Sequence, residues 1–292
     1  MELFFSTLLN GLQLSMLVFL LAAGLTLIFG LMNILNLAHG AFYTMGAYAG
    51  LVIAREAGSF WLALVLAPVV PFVFGAILQY WVLQPLSEQG RSSHLDLALL
   101  TFGLLFATAG SVEILFGPSF QSIQVPQSLS GTVSLFGLSY PKYRLFIIGL
   151  GLLCALLIWL LLERTLLGAT VRAGVDDREM IVGMGINIRR VFALVFGAGA
   201  ALGGLGGVVA APVLGIYSHM GISIMVITFV VVVVGGLGNL KGSFVGSLIV
   251  GLVNAFIQSY LPDLEMFALY LLLIAIMTWR PAGLFSLERR VA

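Results

Sequence analysis

Cysteine occurs once, histidine three times, and charged residues make up only 9% of this 292-residue chain. Each scarcity excludes something. Cys154 has no partner for an intrachain disulfide, and inside the apolar run "LLCALLIWLLL" it reads as a small packing residue rather than a reactive thiol. His39, His94 and His219 lie far apart, so with one cysteine they do not suggest the converging ligands of a metal site. The net charge of +1 gives no basic face for nucleic acid, and the acidic residues form no run. A phosphate-binding loop needs Gly-Lys-Ser or Gly-Lys-Thr, yet Lys142 follows Pro141 and Lys241 follows Leu240. The chain is therefore expected to bind no ATP and no cofactor of its own. No Ser, His and Asp set is recognisable, and no catalytic residue is assigned: the chain does not read as an enzyme.

What is abundant is apolar surface. Hydrophobic residues make up 61% of the chain and the mean hydropathy is +1.14, far outside the range of soluble domains. Continuous runs such as "ITFVVVVVGG" exclude a β-barrel, whose strands alternate every second residue. The expected fold is all-α, a polytopic helical membrane protein in a single transmembrane domain over residues 1–292. Nine apolar segments are predicted, near 8–29, 41–54, 60–83, 97–116, 144–162, 191–214, 222–235, 242–260 and 266–279. The second, seventh and ninth are too short for a straight crossing of a hydrocarbon core of about 30 Å, so broken or re-entrant helices are expected and the span count is eight or nine. The N-terminus "MELFFSTLLNG" lacks the basic flank and cleavage site of a signal peptide, so the first helix is expected to stay in the mature protein.

With the C-terminus cytoplasmic and alternating segments, Arg91, Arg164, Arg172, Arg178, Arg189, Arg190, Lys241, Arg280, Arg289 and Arg290 fall inside. Arg55, Lys142 and Arg144 fall outside. This asymmetry follows the positive-inside rule and puts the N-terminus outside. Two loops stand out. The external one, 117–143, is broken by Pro, Ser and Gly, and its "TVSLFGL" can form a short hairpin strand. The internal one, 163–190, holds five of the thirteen basic and four of the twelve acidic residues. A surface helix is predicted there from about Thr170 to Met184, closed by Gly185.

Polar groups are rare enough inside this chain to be singled out. "GLMNILNLAHGAF" places Asn33, Asn36 and His39 beside Gly40 where the first two helices meet. It reads as a polar turn satisfying backbone groups that lipid cannot, or as the inner end of a solute pathway. A faint echo, "NLKGSF" at 239–244, follows Gly235 and Gly236, which with Gly238 mark a break ahead of Asn239. Glu113 is the one acidic residue within a predicted span, near its outer end. It reads as an interfacial carboxylate or as a partner for an ammonium group at the outer mouth. Gly199, Gly203 and Gly207 recur every fourth residue, as do Gly242 and Gly246, giving flat faces for close helix packing.

The internal loop carries Gly-x-x-x-Arg-Ala, eleven residues, then Gly-Ile-Asn, as Gly168, Arg172, Ala173, Gly185, Ile186 and Asn187. This resembles the inner-loop motif of permease subunits of branched-chain amino-acid ABC transporters, of the LivH type. "GLMNILNLAHG", "FGP" at 116–118 and "GGLGNLKGSFVGSL" from Gly235 to Leu248 extend the likeness over nearly the whole chain. The resemblance implies that 163–190 is a coupling segment gripped by two cytoplasmic ATPase subunits, which bind ATP and Mg. It further implies a second, LivM-type permease subunit, an extracytoplasmic substrate-binding protein and a bacterial inner-membrane location. Arg172 and Asp177 match positions usually charged in the motif, whereas Ile181 stands where a small alanine is common. The resemblance leaves branched-chain amino acids, other amino acids, urea and amides open as substrates. Without it, a secondary transporter or channel working alone is the competing reading.

Overall fold

A computed structural model describes residues 2–32, 36–88, 93–135 and 137–285. Each of the nine apolar segments becomes helical, because a chain in lipid must satisfy its backbone internally. Helix α1 (Glu2–Met32) is followed by α2 (His39–Ala57), which is longer than the sequence suggests and is closed by Gly58 at φ +61°. The third segment is interrupted. Ser59 accepts from the Leu62 N–H to start α3 (Phe60–Leu66), Pro68 separates it from α4 (Val69–Leu78), and a π-helical stretch at Gln79–Leu83 leads into α5 (Gln84–Glu88). Next comes α6 (His94–Phe116), opened by a reciprocal cap between Ser93 and Asp96.

The external segment folds as a short antiparallel hairpin, β1 (Thr132–Leu135) with β2 (Leu138–Pro141), in register from Thr132↔Pro141 to Leu135↔Leu138. Asn10 Oδ1 holds it to α1, accepting from Tyr140 Oη at 3.2 Å and Arg144 Nη1 at 2.6 Å. Burial raises the pKa of the Tyr140 phenol, against the nearby Arg144 guanidinium. Then follow α7 (Lys142–Arg164), α8 (Leu166–Asp176), α9 (Arg178–Gly183), α10 (Ile188–Leu214), α11 (Met220–Gly235), α12 (Leu240–Tyr260) and α13 (Glu265–Trp279).

Helices α1, α2, α10, α11 and α12 form the centre. The valine run of α11 buries Val230, Val231, Val232 and Val234 against Val18, Ala22 and Leu25 of α1 and Val250 of α12. Helices α2 and α10 run side by side in the same direction, with Gly203 on the His39 ring and Gly207 on the Tyr43 carbonyl. A Cβ at Gly207 would collide with that carbonyl and come within 3.0 Å of the Ala47 nitrogen, so this approach requires glycine. Helices α6, α7 and α13 lie outside and turn Leu99, Leu153, Leu156, Phe267 and Ile274 outward, a surface suited to lipid.

Helix α11 starts deep. Its Gly221 lies against Gly40 and Thr44 in the first turns of α2, so the 215–219 connection folds back from the end of α10 into the bundle. Its 16 residues rise about 24 Å, short of a core of about 30 Å. Helices α2 and α11 thus begin side by side and diverge, α2 toward the hairpin end and α11 toward the end that holds α8 and α9.

Candidate functional site

The sequence-predicted residues fall into three places. The first is the junction of α1, α2, α10 and α11. Asn33 lies outside the described residues. Asn36 is 3% exposed and its Oδ1 accepts from the Ala38 N–H at 3.1 Å, so the amide does close a turn. The Leu37 N–H is satisfied by Thr101 Oγ1 at 3.2 Å from α6. His39 is the first residue of α2 rather than part of the turn. It is fully buried, and added Cβ atoms at Gly24 and Gly203 would lie 2.7 and 3.1 Å from its ring. Gly40 is covered by Gly221. All three described residues are buried, and α1, α10 and α11 close over His39 and Gly40.

The second place is the break between α11 and α12. Gly236 takes φ +104° and Gly238 φ +78°, conformations that end one helix and turn toward the next. Asn239 then caps α12, its Oδ1 accepting from the Gly242 N–H at 3.1 Å and its Nδ2 donating to the Phe285 carbonyl at 2.7 Å. Gly235 packs on Gly242, and Gly30 of α1 lies beside Gly238. Like α2, α12 runs from here toward the hairpin end.

The third place is the 163–190 segment, where the single surface helix expected over 170–184 is two helices. The chain leaves helical geometry at Asp177, at φ −144° and ψ 98°, and the Asp177 carboxylate accepts from the Met180 N–H at 2.9 Å to start α9. A carboxylate that can cap a helix competes with continuing one, and that is the reason for the break. Gly168 presses on the Leu162 carbonyl at the end of α7, where a side chain would clash. Arg172 donates to that same carbonyl and lies 3.9 Å from Glu163. Gly174 sits beneath Ile188 and Phe192 of α10. Ala173 is exposed, Gly185 takes φ +80° after α9, and Ile186 leads to Asn187, whose Oδ1 caps α10. Ile181 is buried on Ile188 and Phe192, so this departure from the motif concerns packing within the chain.

Glu113 stands apart from these. Its carboxylate lies 3.7 Å from His219 Nε2, both side chains about half exposed, at the residue that precedes α11. Tyr48, whose ring is 4.7 Å from Phe116, has a buried hydroxyl with no hydrogen-bond partner among the described residues. A two-way backbone pairing of Gln121 with Ile216 fastens the external segment over this region, and Arg55 donates to the Gln121 side chain. Beside it a cavity of about 810 Å³ opens at the hairpin end, lined by Arg55, Trp61, Gln124 and Gln127 among others. Sequence reasoning missed two partners, His219 for Glu113 and Arg189 for the π-helical stretch. The signal for the second was present in Pro85, which has no N–H to give the π-helical stretch.

These elements define a polytopic helical membrane protein whose polar residues sit at helix breaks and at one charged segment between two spans. Among the described residues no group of three His, Cys, Asp or Glu side chains converges. The family described as branched-chain amino acid transport system / permease component matches residues 7–277, and the chain belongs to it. It is a family of transport permeases, not of enzymes. The permease protein LivH of the high-affinity branched-chain amino acid transport system of Escherichia coli (strain K12) is 26% identical over 97% of this chain and 96% of its own length. The LivM permease protein of the same strain is 27% identical over 94% of this chain and 69% of its own length. A solved structure, PsaBC from Streptococcus pneumoniae in complex with Fab, aligns with a TM-score of 0.49 and 15% identity over 92% of this chain and 89% of that one.

Proposed function

We propose that this chain is one transmembrane half of an ATP-binding-cassette importer for branched-chain or other apolar amino acids. Two cytoplasmic ATPase subunits, holding ATP and Mg, supply the energy. A LivM-type permease forms the other half, and an extracytoplasmic binding protein delivers the solute. The inner-membrane location and an outside N-terminus belong to the same reading. One observation carries it: the α8–α9 segment is anchored at both ends to membrane helices. Arg172 and Gly168 seat it on the end of α7, and Gly174 and Ile181 seat it on the start of α10. A push on α8–α9 therefore moves two spans together. The bundle then alternates between openings at its two ends, with the glycine crossings at His39, Gly40 and Gly235 separating and closing.

Substrate class follows from the names of the relatives and from a chain that is 61% hydrophobic and only 9% charged. Glu113, close to the hairpin-end opening, meets the ammonium of the incoming amino acid, and the Arg55 cavity takes a side chain of the docked binding protein. The test is ATP-dependent uptake into vesicles holding all subunits. Arg172→Ala and Asp177→Ala should each abolish most uptake while assembly persists; undiminished uptake in both rejects the coupling role.

A further inference from the structure

Helices α7 and α12 both lean on α1 and diverge, leaving a groove between them on the membrane flank. Its inner part is a cavity of about 250 Å³ walled by Phe19, Ala155, Trp159, Leu240, Phe244 and Val245, with Lys241 the one charged residue in its lining. It continues, past Trp159, Leu240 and Lys241, into a mouth of about 420 Å³ at the α8–α9 end. The mouth is different in chemistry. Glu163, Arg172, Asp176 and Lys241 line it together, over a floor of Thr26, Leu27 and Gly30 from α1.

We infer that this groove binds one phospholipid with a zwitterionic amine head group, phosphatidylethanolamine, its tail under Trp159 and its head between Lys241 and Asp176. Length supports a lipid tail. From Phe19 to Gly30 the floor helix rises about 16 Å, which is half of a core of about 30 Å and so the depth of one leaflet. Trp159 marks the head-group level, with the Arg164 guanidinium 5.7 Å from its ring, as interfacial tryptophans do.

Charge selects the head group. Arg172 is engaged with Glu163 and the Leu162 carbonyl, whereas neither Lys241 nor Asp176 pairs with another described residue. A free cation and a free carboxylate at one mouth suit a phosphate and a primary ammonium on one molecule. A purely anionic lipid would leave Asp176 opposed, and a quaternary amine could not donate to it. Bound there, the lipid bridges the end of α8 to the first turn of α12.

The experiment is native mass spectrometry of the detergent-purified complex, incubated with equal phosphatidylethanolamine, phosphatidylglycerol and phosphatidylcholine. Wild type should retain one phosphatidylethanolamine in preference to the other two. Lys241→Glu should lower that retention about tenfold, the scale of one charge-assisted hydrogen bond. Ala155→Trp, which fills the tail channel, should abolish it, while Leu153→Trp on the outer face of α7 should not. Asp176→Asn should erase the preference over phosphatidylcholine, and it serves where Lys241→Glu fails to assemble. Equal retention of the three lipids by wild type, or wild-type retention in both Lys241→Glu and Ala155→Trp, overturns the proposal.

Discussion

Arg189 grips Tyr80 twice over: its guanidinium lies 4.4 Å from the ring centroid, and Nε and Nη2 both donate to the Tyr80 carbonyl, at 3.2 and 2.7 Å. The reason is a missing donor. In the π-helical stretch the Gln84 N–H bonds to the Gln79 carbonyl instead of to Tyr80, shifting the ladder by one residue. The Tyr80 carbonyl would then need the N–H of residue 85, which is proline. Arg189, in the first turn of α10, supplies what the helix cannot. It also ties the exit of the α8–α9 segment to the interrupted span of α3 to α5.

Replacing Arg189 by alanine leaves a part-buried carbonyl without a donor and is expected to cost about 1–3 kcal/mol. Lysine should recover part of this, since it keeps the charge but loses the fork and the stacking plane. Thermal unfolding of the detergent-purified chain reads the difference. Equal midpoints for wild type and Arg189→Ala would remove the grip from the account of this helix.

The glycine crossings make a paired prediction. Gly207→Ala pushes a methyl into the Tyr43 carbonyl, backbone that cannot yield without separating α2 from α10, and is expected to destabilise by about 1–3 kcal/mol. Gly110→Ala on α6 meets no atom within 4 Å, so it should be neutral or gain a few tenths of a kcal/mol from helix propensity. Similar stabilities for the two variants would show that α2 and α10 do not approach as closely as Gly207 requires.

Asn239 performs two tasks that substitution can separate. Alanine removes both the cap on α12 and the bond to the Phe285 carbonyl, at an expected cost of about 1–2 kcal/mol. Aspartate keeps the cap acceptor but cannot donate to Phe285. Asn239→Asp should therefore hold the unfolding midpoint near wild type while exposing the chain around Phe285 to limited proteolysis. Unchanged cleavage in that variant would argue that other contacts hold this segment.

Composition and hydropathy made the helices legible, because the membrane imposes a length and an apolar run that any span must meet. The glycine breaks at Gly236 and Gly238 were legible too, since each depends on local backbone chemistry. What was hidden needed tertiary knowledge. His39 reads as part of a polar turn until α1 and α10 are seen closing on it through Gly24 and Gly203. Asp177 reads as a charged motif position until its carboxylate is seen starting a second helix. Pro85 was in plain view, but only the π-helical register shows that it orphans Tyr80 and not Trp81.

The Glu113–His219 pair gives the last prediction, in which stability and transport should part. Both side chains are about half exposed, and exposed ion pairs contribute only about 0–1 kcal/mol. Glu113→Gln should accordingly leave the unfolding midpoint close to wild type. If the carboxylate meets the ammonium of the solute, the same variant should lower ATP-dependent uptake at saturating binding protein by about tenfold, the scale of one charge-assisted hydrogen bond. Glu113→Asp should keep part of that uptake, because the charge remains and only its reach shortens. His219→Gln should have the smaller effect, since it removes the carboxylate's resting partner and not its contact with the solute. Full uptake by Glu113→Gln would assign this carboxylate to the surface. A large loss of stability would instead make the pair a fastening between α6 and the start of α11.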